Sequence, residues 1–326
     1  MKTPKGMARV AYNLLAHTWA TSVSDAWLSV KYALAVKSAK AETNQPKLTL
    51  VIPVYNVERY VGLCLKSVVA QNYSNLQVIV VNDGSTDGSM QIVERFLTKL
   101  NITVVNQANA GLAAARNSGV DAIDRCDYLM FLDSDDALPL GALSALVTQL
   151  QSTGSDFVVG DCNRMKGVTR VKRVDTRKVY AGGSRSAVTF ADHPAVIRDV
   201  TAWNKLFRFD FYRSARLRFP SGVYFEDMAL MTRAYIEAEH FDVLARCVYL
   251  WRVRTEGSKS ITQQSTSDKQ FDDRFNALVQ MSKSIHGAIE AGKATKANMD
   301  AFADRLRTHD AKLHPDRLKE LMALAD

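Results

Sequence analysis

Four apolar runs, each ended by polar turn residues, constrain this chain more than any other feature. They are Leu48-Thr49-Leu50-Val51-Ile52-Pro53-Val54, Val78-Ile79-Val80-Val81, Ile102-Thr103-Val104-Val105 and Tyr128-Leu129-Met130-Phe131-Leu132. Runs of this kind read as strands of a parallel sheet buried on both faces. Stretches of helical length lie between them, near residues 57–71, 86–99 and 112–125. Such alternation predicts a doubly wound, mostly parallel α/β sheet. Ligands of these sheets bind outside the carboxyl ends of the strands. Tyr55, Asp83, Arg116 and Asp133 all fall at those ends or just beyond them.

The fourth run ends in Asp133-Ser134-Asp135-Asp136. Carboxylates crowded at one sheet edge repel each other and are costly to desolvate. A divalent cation removes that cost, and hard oxygen ligands suit Mg²⁺ or Mn²⁺ better than zinc. Read alone, the same residues also suit an acidic turn that caps the following helix.

The segments Val51-Ile52-Pro53-Val54-Tyr55-Asn56, Asn82-Asp83-Gly84-Ser85-Thr86-Asp87, Gly111-Leu112-Ala113-Ala114-Ala115-Arg116-Asn117 and Asp133-Ser134-Asp135-Asp136 carry a resemblance. In order and spacing they resemble the nucleotide-sugar-binding half of the family-2 glycosyltransferases, in particular bacterial members that build cell-wall and capsular polysaccharides. The resemblance covers residues 47–260 and is strongest before residue 145. It implies a GT-A fold, a nucleotide-diphosphate sugar as donor (UDP being the commonest nucleotide), a Mn²⁺ or Mg²⁺ ion, and inversion at the anomeric carbon. It also implies roles: Asp83 reads the base, Asp133 meets ribose or metal, Asp135 holds the metal, and Arg116 contacts ribose or diphosphate. Pro53, Tyr55 and Asn56 would line the donor.

Tyr224-Phe225-Glu226-Asp227-Met228 opens an apolar-periodic helix that runs through Ile236. Acidic residues suit the start of a helix electrostatically. Inverting transfer, however, needs a base for the acceptor hydroxyl. The pair is similar to the family's motif for that task, which implies Asp227 as the base and Glu226 on the acceptor. Trp203-Asn204-Lys205-Leu206-Phe207 resembles an acceptor-side segment of the polysaccharide-building members, with Trp203 lining the acceptor and Phe207 a buried anchor. In Val248-Tyr249-Leu250-Trp251-Arg252-Val253-Arg254, strand alternation puts Arg252 and Arg254 on one face. Two guanidiniums there can close over the donor diphosphate. Glu256 to Lys259 lengthen this segment relative to the family.

Length predicts one catalytic domain plus a smaller appendage. With the resemblance and the flanking helical stretches, the expected parts are an N-terminal helical segment at 1–45, a GT-A catalytic domain at 46–262 and a C-terminal helical region at 263–326. Met7 to Lys40 contains neither Pro nor Gly. It reads as a helix packed on the catalytic domain or on a second subunit of a homo-oligomer. With Trp19, Trp27 and Tyr32 among Lys and Arg, it also suits a membrane interface. Phe271, Phe275, Leu278, Val279, Met281, Ile285 and Ile289 form a helical stripe, and Leu306, Leu313, Leu318, Leu321 and Met322 suggest further helices.

The four cysteines are scattered without a CxxC pair, which favours reduced thiols over disulfides or zinc. The N-terminus is a poor signal peptide, since Asn13, His17 and Asp25 interrupt its apolar run. The expected location is therefore cytoplasmic, extending to a peripheral position at the inner face of the cell membrane.

Net charge is +8, and part of the excess sits in Arg164, Lys166, Arg170, Lys172, Arg173, Arg177 and Lys178. That run reads either as a solvated loop or as a surface steering an anionic acceptor or membrane. Nucleic acid is not the expected partner, because the basic run has no interleaved aromatics beyond Tyr180 and no nucleic-acid motif accompanies it. The expected acceptor is a surface polysaccharide, a teichoic-acid-like polymer or a lipid-linked sugar. The alternative, a non-catalytic nucleotide-sugar-binding subunit of a synthase assembly, gives no chemical reason to keep both Asp135 and Asp227. A nucleotidyltransferase would want a Gly- and Arg-rich loop where this chain has Pro53-Val54-Tyr55-Asn56.

Overall fold

In the computed structural model, the first strand, β1 (Leu48–Val54), is buried along its whole length. The structure describes residues 28–34, 45–166, 169–254, 268–310 and 315–324. β1 lies between β2 (Leu76–Asn82) and β4 (Tyr128–Phe131), parallel to both, and β2 pairs in parallel with β3 (Asn101–Asn106). The remaining strands are β5 (Phe157–Lys166), β6 (Thr169–Lys172), β7 (Arg185–Val188), β8 (Lys205–Arg208) and β9 (Phe241–Arg252). They complete one sheet in the order β3-β2-β1-β4-β8-β5-β9-β7, with β6 paired to β5. β8 runs antiparallel to β4 and β5, whereas β5 and β9 are parallel. The sheet is thus mostly parallel, as the alternation predicts.

Pro53 sits inside this central strand, where a proline usually breaks the ladder. Here it costs nothing. Val51 O accepts from Leu132 N and Val54 O accepts from Asp83 N, so odd positions of β1 face β4 and even ones face β2. Pro53 faces the β4 side, two residues past the last β4 pairing at Val51. β3 departs from the buried-strand reading. Among the described residues it is the sheet edge, with no further strand on that side, and Val104 is exposed.

Alternating residues of β1 feed two cores, one on each face of the sheet. Leu50, Ile52 and Val54 pack with α1 (Glu58–Val69) and α4 (Ala142–Thr153). Val51 packs on the opposite face with α3 (Leu112–Asp121), α5 (Phe209–Ser214) and α6 (Glu226–Glu237). α2 (Ser89–Glu94) contributes Val93 to the first core. The C-terminal helices α7 (Asp268–Glu290) and α8 (Lys296–Thr308) place Phe275, Leu278, Met281, Ile285, Phe302 and Leu306 in the same core as Phe131 and Phe157. α9 (Pro315–Ala323) adds Leu321. Of the predicted stripe only Phe271 is exposed.

A short helix at residues 28–34 packs Leu28 and Tyr32 against Leu63, Ala137, Met165 and Leu250, and Tyr32 donates to Leu138 O at 2.8 Å. Trp19 and Trp27, and the predicted Ser260-Ile261-Thr262 segment, lie outside the described residues. Among the described residues no helix is long and apolar enough to cross a membrane.

Candidate active site

The loops after β1, β2 and β4 open at one edge of the sheet, and α3 delivers a cation beneath them. α3 starts at Gly111, whose φ of 87° lies in the left-handed region that glycine adopts without strain. Asp83 fixes that start. Its carboxylate accepts from Ala110 N at 2.9 Å, Gly111 N at 3.0 Å and Gln107 Nε2 at 2.7 Å. A carboxylate at a helix N-terminus is favoured by the orphan amides there. Farther along, a Cβ on Gly119 would lie 2.4 Å from Val51 Cγ1. Only glycine lets α3 press this closely on the sheet, and Arg116 projects from the turn before it.

Arg116 organises the site. It is 1% exposed and its guanidinium meets three carboxylates. Nη2 donates to Asp133 Oδ1 at 2.7 Å, while Nη1 donates to Glu226 Oε1 at 2.9 Å and Asp227 Oδ1 at 2.7 Å. The ring of Phe219 lies 5.1 Å from the guanidinium carbon. The resemblance implies that Arg116 touches ribose or diphosphate. The structure instead buries it below the site, with both terminal nitrogens committed to protein carboxylates.

The Asp133–Asp136 turn is tied to the end of β9. Asp133 N donates to Tyr249 Oη at 3.1 Å, and that hydroxyl donates to Asp136 Oδ2 at 2.7 Å. Arg252 N donates to Asp136 Oδ1, and Arg252 Nε to Asp135 O, both at 2.6 Å. Arg254 Nε donates to Asp135 Oδ2 at 2.7 Å. Arg252 and Arg254 do share a face: both guanidiniums lie over the ring of Tyr60, at 5.3 and 5.1 Å. Burial pushes the Asp135 carboxyl up against the opposing pull of Arg254, and pushes Asp136 well up, reinforced by Asp135 and Asp133.

These residues fit a hard divalent cation of the kind the resemblance implies. Among the described residues, Asp133 Oδ2 and Asp135 Oδ1 have no hydrogen-bond donor, which leaves one oxygen from each carboxylate. No cluster of three or more His, Cys, Asp or Glu arranged for a metal occurs among the described residues. A two-carboxylate site suits Mg²⁺ or Mn²⁺ whose other positions go to phosphate and water.

Glu226 and Asp227 open α6. Asp227 Oδ2 accepts from Ala202 N at 3.0 Å, so the carboxylate is gripped from both sides. Burial raises Asp227 above the usual carboxylate range, with Arg116 opposing. Burial first, and then neighbouring Asp227, push Glu226 up to about 7. Glu226 is the most buried of the three carboxylates that share Arg116, and with Asp227 beside it Glu226 is the one that keeps a proton near neutrality. This has a testable consequence. The folded chain holds the Glu226 proton more tightly than the unfolded chain, whose ordinary value is 4.5. The resulting stabilisation is complete below that value and is lost as pH rises through about 7. Glu226→Gln should therefore make urea-unfolding stability fall less steeply between those two limits than it does in the wild type.

The other predicted residues divide. Tyr55 is 49% exposed at the end of β1 and presents its ring at the sheet edge. Pro53 is buried in the strand and offers the donor no side chain. Asn56, at a φ of 49°, accepts from Thr86 N at 2.8 Å and so stitches the first loop to the second. Trp203 is 5% exposed, stacked on Tyr249 with ring centroids 4.2 Å apart. It supports the turn from within the core and has no free face for an acceptor, contrary to the lining role expected of it. Phe207 is fully buried, as expected.

The basic run also divides. Arg164, Lys166, Arg170, Lys172, Arg177 and Lys178 are exposed. Arg173 is buried, paired with Asp175 at 2.7 Å and lying over Trp203 and Trp251. Sequence reading missed Tyr60, Gln107, Asp136 and Tyr249. Tyr249 had a signal, since strand alternation sets it on the face opposite Arg252 and towards the turn.

Comparison with known proteins agrees with this fold. The profile of Glycosyl transferase family 2 matches residues 49–238. Glycosyltransferase GlyA of Streptococcus pneumoniae is 33% identical over 222 residues, covering 66% of this chain and 31% of GlyA. A poly(ribitol-phosphate) beta-glucosyltransferase of Bacillus spizizenii is 28% identical over 217 residues, 65% of this chain and 33% of its own length. The chain thus spans about a third of these two relatives. In fold it is similar to residues 1–349 of S. aureus TarS in complex with UDP-GlcNAc, with a TM-score of 0.70 and 22% identity over 86% of this chain and 79% of that one. The mostly parallel sheet is accordingly a GT-A fold, and the chain belongs to glycosyl transferase family 2.

Proposed function

We propose that the protein transfers a sugar, with inversion, from a nucleotide-diphosphate donor to a hydroxyl of a bacterial surface polymer. One observation carries this reading: a single buried cation, Arg116, ties Asp133 of the metal-capable turn to Asp227 of the candidate base pair. Donor-side and acceptor-side carboxylates are thereby fixed around one point.

Asp227 accepts the acceptor's hydroxyl proton as that oxygen attacks the anomeric carbon. The bond from carbon to the diphosphate breaks on the opposite face, and its electron pair leaves with the diphosphate. Raised basicity suits Asp227 to this role. Asp135 and Asp133 would hold Mn²⁺ or Mg²⁺, which supplies charge neutralisation for the departing diphosphate. Arg252 and Arg254, stacked on Tyr60 beside the same turn, add positive charge there. Asp83 keeps room for a further donor from the base, since three of about four acceptor sites are used. UDP is the favoured nucleotide, supported by the UDP-GlcNAc bound to TarS. A polyol-phosphate acceptor is supported by the name of the Bacillus spizizenii relative.

Incubation with a panel of nucleotide sugars and Mn²⁺ tests the reading through slow donor hydrolysis. Selective release of one nucleotide is expected, and no release from any of them counts against it. Asp135→Ala should abolish that release, and Mn²⁺ should strengthen UDP binding far less in the variant than in the wild type. Turnover by the variant that survives EDTA would remove the metal from the account.

A further inference from the structure

The loop that leads into Glu226-Asp227 is held by a helix from outside the family match. Phe225, the residue before α6, has a φ of 61° and ψ of 32°. A bulky residue reaches the left-handed region only when its surroundings impose it. Upstream, Asn117 of α3 brackets Phe219, accepting from its N–H at 3.1 Å and donating to its carbonyl at 2.8 Å. Downstream, the first turns of α7 grip the loop. Asp273 Oδ2 accepts from Tyr224 N at 3.0 Å and from Lys269 Nζ at 2.6 Å. Lys269 Nζ also donates to Gly222 O at 3.1 Å and lies 5.2 Å from the Tyr224 ring centroid. The Arg274 guanidinium lies over the Phe225 ring at 5.4 Å and is anchored in turn by Asp310.

We propose that Asp273 is a positioning residue for the reaction, setting the direction in which α6 aims Asp227. Tyr224 is the last residue before the left-handed turn, so its N–H bond to Asp273 fixes the plane from which the chain enters Phe225. Releasing that bond lets Phe225 relax, and Glu226 and Asp227 rotate with it. Ala202 N and Arg116 still hold the Asp227 carboxylate, so the expected result is misdirection and not loss of the site. Small displacements of a catalytic group cost heavily even when the mutated residue is remote. Asp273 lies beyond the family match at 49–238, so the C-terminal helices take part in catalysis and do more than pack. The inference rests on the reading of Asp227 as the base.

The test compares Asp273→Ala, Asp273→Asn and Asp227→Asn in the full chain. The substrate is UDP-N-acetylglucosamine, or whichever panel donor is hydrolysed fastest. Asp273→Ala should lower kcat by about 10- to 100-fold with the donor KM and UDP affinity unchanged. It should also speed hydrogen exchange at the Tyr224 amide. Asp273→Asn retains an acceptor for that amide and loses the ion pair to Lys269, so it should recover most of kcat.

Wild-type kcat in Asp273→Ala, alongside an inactive Asp227→Asn, would overturn the role of Asp273 and leave the base in place. Near-normal kcat in Asp227→Asn would overturn the base, and this inference with it. Equal losses in the Ala and Asn variants, matched by a fall in UDP affinity, would mean that Asp273 only stabilises the fold.

Discussion

Arg116→Met is expected to abolish turnover and to destabilise the fold by about 3–5 kcal/mol, the usual cost of stranding one side of a buried ion pair. Asp133, Glu226 and Asp227 would then face each other with no counter-charge, in a space closed to solvent on the Arg116 side. They would respond by taking up protons, which removes both the metal-ligating form of Asp133 and the basic form of Asp227. Arg116→Lys separates charge from geometry. Lysine restores one positive charge but not the fork that reaches Asp133 through one nitrogen and the base pair through the other. It should recover part of the stability, measured by urea unfolding, while kcat stays far below wild type. Full activity in Arg116→Lys would show that charge alone suffices.

Asp227→Asn carries the second large effect. The substitution keeps shape and removes the base, so kcat should fall by roughly 10²–10⁴. UDP affinity should change little, because the loss is confined to the step in which the acceptor proton moves. Single-turnover hydrolysis and UDP titration together make the check. Lost UDP binding with near-normal turnover would make Asp227 a structural element of α6 and place the base elsewhere.

The sheet and its carboxyl edge are legible in the sequence because parallel strands buried on both faces are written as continuous apolar runs. The polar residues that end them cannot be elsewhere than at that edge. β3 misleads for the same reason: Ile102-Thr103-Val104-Val105 has strand composition, and composition does not say that no strand lies beyond it. The placement of Asp227 and Asp135 at that edge is legible through the motifs that carry them, and their roles remain part of the proposal. The position of Arg116 is not. A lone arginine on a small-residue helix looks like a ligand contact, and only the close approach at Gly119 shows that the helix carries it beneath the site. Trp203 misleads similarly, since an aromatic beside a polar motif serves a sugar or a core equally well. Stacking on Tyr249 decides for the core. The grip of Asp273 on Tyr224 joins residues 49 positions apart, and no local pattern announces it.

The central claim is a single displacement with inversion at this site. Proton NMR of the sugar first released from an α-linked UDP-sugar, recorded before mutarotation, tests it most directly. The β-anomer is predicted to appear first in the wild type and to form roughly 10²–10⁴-fold more slowly in Asp227→Asn. Initial release of the α-anomer would contradict the mechanism.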